Sequence, residues 1–217
     1  TFQGNLAKFN KQDSIVDGTP LFNDIVEIGV IYQDEKRAIV LNSLDVIATS
    51  DALLNEQTRI DKYRDIDIFN FSNPVVFAKT FTPLVSYNKA NLYCIIDNFF
   101  VFADDVDMLQ NIIANYQNKT TLNTTSYFKD IKVNLSDESS LLTVVNPSIL
   151  KTILNKNIPD NSNYKLNAYP ISALQFIYDT NFAHVNGIIK KAKTKQKQNS
   201  ISEVFNIKLD TDLLNNP

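Results

Sequence analysis

At 217 residues and 44% hydrophobic content, the chain is long enough to bury a sizeable core. It has one Cys, one His, one Met, no Trp and four Gly, so alone it can make neither an intramolecular disulfide nor a four-ligand Cys/His zinc centre. A net charge of −3 and a pI near 5.2 argue against a general phosphate-backbone binder, which needs a basic face to displace counterions.

In chain order, the pattern from Asp24 to Gln33 predicts a strand, Asp34-Glu35-Lys36 a turn, and Arg37 to Leu41 the hairpin partner. Ser43 precedes a helical segment carrying Ile47, Leu53 and Leu54. Tyr63 to Phe71 reads as one strand, with Ile66 and Ile68 on one side and Asp65, Asp67, Phe69 and Phe71 on the other. It ends at Asn73-Pro74, a cap and first-turn pair that predicts a short helix from Val75 to Leu84. Leu92 to Ile96 and Phe99 to Ala103, joined by Asp97-Asn98, read as a second hairpin. Asp104 is then placed to cap a helix in which Val106, Leu109, Ile113 and Tyr116 recur at helical spacing. Thr125 is expected to cap a helix carrying Phe128, Ile131 and Leu135. Ser140 to Val145 is expected as a strand leading through Asn146-Pro147 into a helix with Leu150, Ile153 and Leu154. Beyond a polar loop over 155–163, a β-rich end contains Ile171 to Tyr178, a turn at Asp179-Thr180-Asn181, Phe182 to Ile189, and Ile201 to Leu209.

Two segments, about 24–84 and 91–155, share the order hairpin, helix, strand, Asn-Pro, helix, the second with an extra helix; this predicts an internal duplication. The expected fold is α+β: one domain over 1–217, with an antiparallel or mixed sheet, helices packed on it, and a β-rich part over 164–210. Hairpins and the lack of a Gly-rich strand-to-helix turn disfavour a doubly wound parallel sheet. No run approaches the roughly 20 apolar residues of a membrane-spanning helix. Beginning at Thr1 and ending at Pro217, the chain reads as a processed product or a fragment of a longer protein. Sequons at Asn70, Asn118, Asn123 and Asn134 are what an Asn-rich chain produces by chance.

Candidate chemistry is sparse. His184 is the only side chain on which a triad could rest, and alternation puts it on the strand face of Phe182 and Asn186, without an assignable nucleophile or orienting acid. Asp65 and Asp67 on one strand face, and Asp104, Asp105 and Asp107 at a helix start, are carboxylate groupings that in principle suit acid/base work or a cation. The first pair, flanked by Lys62 and Arg64, reads as a solvated strand start, and the second as helix capping. Cys94, inside Leu92 to Ile96, reads as a buried inert thiol. Lys190, Lys191, Lys193, Lys195 and Lys197 form a basic run without interleaved aromatics, expected as a connecting loop. Phosphate-cradling, nucleophile-elbow and zinc-protease motifs are missing. The sequence therefore assigns no catalytic, cofactor or metal residues.

The stretch Ile96-Asp97-Asn98-Phe99-Phe100-Val101-Phe102-Ala103-Asp104, with Leu109 to Gln117 and Thr120-Thr121-Leu122, resembles uncharacterised extracytoplasmic proteins of the Bacteroidetes. The ending Val204 to Asp212 is similar to the lead-in to a β-propeller that follows such domains. The resemblance covers about 30 residues plus about ten and carries no catalytic motif. It implies an envelope or secreted location and no functional residues to transfer. The reading favoured on these grounds is a non-catalytic envelope module that supports a neighbouring domain or binds a protein partner. The alternatives are a small-ligand or lipid binding domain, argued from 11% aromatic residues, and an Asp/Glu-dependent hydrolase.

Overall fold

The computed structural model describes residues 19–137, 139–158, 165–178 and 182–191, and within them the fold is α+β with antiparallel sheets. The chain gathers into two compact units, 1–121 and 122–217, and the boundary falls inside the second of the anticipated copies.

The first unit is built on three tight hairpins: β1 (Ile25–Gln33) with β2 (Lys36–Ser43), β3 (Arg59–Tyr63) with β4 (Ile66–Asn70), and β5 (Leu92–Ile96) with β6 (Phe99–Ala103). Each loop puts an Asp at positive φ: Asp34 at 54°, Asp65 at 66° and Asp97 at 52°. Asp tolerates the left-handed region because its short polar side chain bonds locally, so the turns form without glycine. The segment expected as one strand from Tyr63 to Phe71 is therefore bent into a hairpin, with Arg64 and Asp65 both at positive φ in the manner of a type I′ turn.

The three hairpins form one six-stranded sheet in the order β1-β2-β6-β5-β4-β3. Its middle strands are buried on both faces, which is why Leu92 to Ile96 and Phe99 to Ala103 read as almost unbroken apolar runs. On one face α3 (Val106–Gln117) lays Met108, Leu109 and Ile113 over Ala38, Ile68, Cys94 and Val101. On the other, α1 (Val46–Asp51) and α2 (Val76–Phe81) help close an aromatic core. There Phe77 lies 4.8 Å from Phe102, Phe71 lies 5.0 Å from Phe102, and Phe22 lies 4.9 Å from Phe81, all ring to ring. Rings meeting edge-on or tilted in this way add about 1 kcal/mol per pair beyond the area they bury.

Two caps differ from expectation by a local shift. Asp105, not Asp104, caps α3: its Oδ1 accepts from the N–H groups of Asp107 at 2.7 Å and Met108 at 3.3 Å. Asn73 gives α2 only its backbone carbonyl, bonded by the Val76 N–H, so no side chain caps that helix.

The second unit contains α4 (Ser126–Lys132), β7 (Leu141–Val145), α5 (Pro147–Asn157), β8 (Ser172–Tyr178) and β9 (Ala183–Ile189). Asn146 caps α5 as its sequence predicts, accepting from the Ile149 N–H at 2.9 Å. Thr125 stands at the N-cap of α4, but its hydroxyl donates to the Leu122 carbonyl and caps nothing. The strands form a sheet of their own, β7-β8-β9. The anticipated copies thus differ in kind, since β4 completes the six-stranded sheet while β7 belongs to another. The turn at 179–181 and the strand expected over 201–209 lie outside the described residues.

Candidate functional site

The singled-out side chains are spent locally. Asp65 sits at the tip of a turn, fully exposed, 3.4 Å from Lys62 Nζ. Asp67, on β4, faces Arg59 NH1 at 3.3 Å. The two carboxylates therefore do not form the same-face pair read from the sequence. Among the acids at the start of α3, Asp105 Oδ2 meets Lys36 Nζ at 2.8 Å, and Asp107 stands 3.7 Å from the same amine. This bond lowers the Asp105 pKa and raises that of Lys36. Asp104 neighbours Tyr87, whose hydroxyl is buried without a partner at hydrogen-bonding geometry. Burial first, then the nearby Asp104 charge, hold the Tyr87 proton well above the usual phenol range. Cys94 faces the α3 side of the sheet, and burial pushes its thiol up to about 12, so little of the reactive thiolate exists near neutrality. Among the described residues no three His, Cys, Asp or Glu side chains are placed to hold a metal ion.

His184 is exposed on β9, and its Nε2 meets Asn186 Oδ1 at 2.7 Å. Asn186 Nδ2 donates in turn to Gln175 Oε1 at 3.1 Å. Gln175, almost completely buried on β8, takes the Ser136 N–H on Oε1 at 3.0 Å and donates Nε2 to the Ser136 carbonyl at 2.8 Å. The end of this chain is a backbone clamp, not a nucleophile. Lys190 Nζ donates to the Asp130 carbonyl at 2.9 Å, tying the end of β9 to α4, and Lys191 is exposed. Lys193, Lys195 and Lys197 lie outside the described residues.

This polar chain fixes which way the second sheet faces. Ala173 and Gln175 point inward, toward the small core around Ile131. In register beside Gln175 stands Asn186, and His184 pairs with Ile177. The opposite face carries Leu174, Phe176 and Tyr178 on β8, Leu141 and Thr143 on β7, and Val185, Gly187 and Ile189 on β9. On β8 and β9 polar side chains are thus mixed with apolar ones on the inner side, Gln175 buried and His184 exposed, while aliphatic and aromatic side chains lie in the open on the other. Phe176 is 39% exposed, Val185 53% and Tyr178 57%. Leu141, Phe176 and Val185 stand directly opposite one another across the three strands, with no charged side chain on that face. Their exposed fractions, with Leu174, Tyr178 and Ile189, leave on the order of 500 Å² uncovered, within the range of the largest patch a monomer usually carries.

Sequence reasoning missed this face although it located β7, β8 and β9. Alternation reports which residues share a side of a strand and not which side is covered. The one signal was Gln175 and Asn186 in otherwise apolar strands. Compared with known proteins, the chain matches no family model, no curated protein and no solved structure. No helix among the described residues is long and apolar enough to cross a membrane.

Proposed function

We propose that the chain is a non-catalytic module of a cell envelope or secreted assembly, supporting a neighbouring domain or binding a protein partner through the apolar face of β7, β8 and β9. One observation carries the reading: a charge-free face on the order of 500 Å² stands in solvent, and large apolar patches on a folded chain mark interaction surfaces. The local use of Asp105, Asp67 and Gln175 supports the same view, because each is engaged in holding the fold. The envelope location rests on the resemblance of the segment around Ile96 to Asp104.

A photo-crosslinking residue at Phe176, introduced into the chain in its source cells, is expected to give a discrete protein adduct. The same residue at Tyr32, exposed on β1, is expected to give none. Equal labelling at both positions, or none at Phe176, overturns the docking role. Recovery of the protein from the cytoplasmic fraction overturns the location.

A further inference from the structure

We infer that the partner on this face is a second copy of the same chain, bound sheet to sheet about a two-fold axis; this rests on the docking role proposed above. Two such faces together remove on the order of 1,000 Å² from water, the size at which a specific interface begins. Closed two-fold pairing is the commonest solution for a surface that must complement itself. The face meets that demand. Its bulky row of Leu141, Phe176 and Val185 lies beside a smaller row of Thr143, Leu174 and Gly187, matched position by position on the same strands. A two-fold axis running between the rows and parallel to them sets Leu141 over Thr143, Phe176 over Leu174, and Val185 over Gly187 of the other copy. Each larger side chain meets a smaller one, and sheets packed this way lie about 10 Å apart. The absence of charge adds specificity of a kind: a second copy always brings an equally charge-free surface, whereas a charged partner would lose hydration without an opposite charge to meet.

Gly187 supplies the probe. A Cβ built there meets nothing within 4 Å, so Gly187→Cys fits the protomer without displacing a neighbour. The only native thiol, Cys94, is buried and silent to maleimides. Sedimentation of the full chain across the micromolar range is expected to show a species of about 49 kDa, twice 24.6 kDa. Phe176→Lys and Val185→Lys are each expected to raise the dissociation constant at least tenfold while leaving the circular dichroism spectrum unchanged. Across the proposed axis the two 187 positions stand roughly 12 Å apart, too far for a disulfide, so Gly187→Cys is expected to be joined into a dimer by a bis-maleimide of about that span, with Tyr32→Cys giving none. Should a lysine variant fail to fold, the Gly187→Cys reading still decides. A wild-type chain monomeric at every concentration, a dimer that survives both lysine variants, or equal cross-linking at 187 and 32 overturns the pairing. Monomer in solution with a Phe176 photo-adduct to a different protein overturns the pairing and leaves the docking role intact. Monomer with the Phe176 and Tyr178 side chains shielded from carbene footprinting overturns it in favour of cover by the chain's own remaining residues.

Discussion

Single aspartates set much of the first unit's geometry. Asp105 caps α3 and bonds Lys36 at the mouth of the first hairpin, so one carboxylate joins two elements. Replacing it with Ala is expected to cost about 1 kcal/mol in urea denaturation, and Asp105→Asn, which keeps the cap, should cost less. The pH dependence follows from the directions of the two shifts. Asp105 has a lowered folded pKa, so its contribution is complete above the ordinary 3.8 and fades as pH falls through the folded value. Lys36 has a raised one, so its contribution is complete below 10.5 and fades as pH rises through the folded value. The stability difference between wild type and Lys36→Met is therefore expected to be full between pH 3.8 and 10.5 and to shrink outside it. A difference independent of pH would show that the pair acts by packing alone. Asp97 carries a second double role, with φ at 52° and its carboxylate accepting from Tyr116 O–H at 2.6 Å. Asp97→Ala is expected to lose about 2 kcal/mol, from the left-handed backbone and the lost bond together, while Asp97→Gly loses only the bond, about 1 kcal/mol. The reverse order in denaturant would place the strain elsewhere.

At the scale of elements, the sequence located what is local and missed what is not. The hairpins β1-β2 and β5-β6 were legible because two short turn residues interrupt strongly β-forming runs, and α3 because its apolar positions recur at helical spacing over twelve residues. The Tyr63–Phe71 segment read as a single strand because Arg64-Asp65 lacks the Asn-Gly or Asp-Gly signature of a tight turn. The supposed duplication rested on element order, and order does not determine pairing. Strand β7 joins β8, its partner some thirty residues on, by contacts no local window contains. Of the candidate chemistry, the capping role of the acids near Asp104 was legible to within one residue; the apolar face depended on burial and was not. Gln175 anchors that face. Gln175→Leu is expected to leave the Ser136 N–H and C=O without their buried partner, costing about 2 kcal/mol in urea unfolding. A variant as stable as wild type would mean that water takes over the clamp.

On the scale of the whole molecule, the two units have separate cores: the first packs around Phe77 and Phe102 on one sheet face and Ile113 on the other, the second around Ile131 and Ala173. Ile113→Ala is expected to cost about 3 kcal/mol. Amide exchange is expected to quicken in β5 and β6 while β8 keeps its protection. Equal loss of protection in β8 would show the units to be one cooperative body. The sheets also differ at their margins. The edge strand β3 carries Arg59, Asp61 and Lys62, side chains that discourage pairing with another chain, whereas β7 and β9 carry none.

The order β1-β2-β6-β5-β4-β3 also bears on how the protein is made. The last hairpin synthesised in the first unit occupies the centre of its sheet, between the two that leave the ribosome first. Until Ala103 has emerged, β2 and β4 each present an unpaired apolar border with no neighbour to close it. The sheet therefore cannot close until β5 and β6 have been translated, an interval in which apolar strand borders lack their neighbours and are open to aggregation.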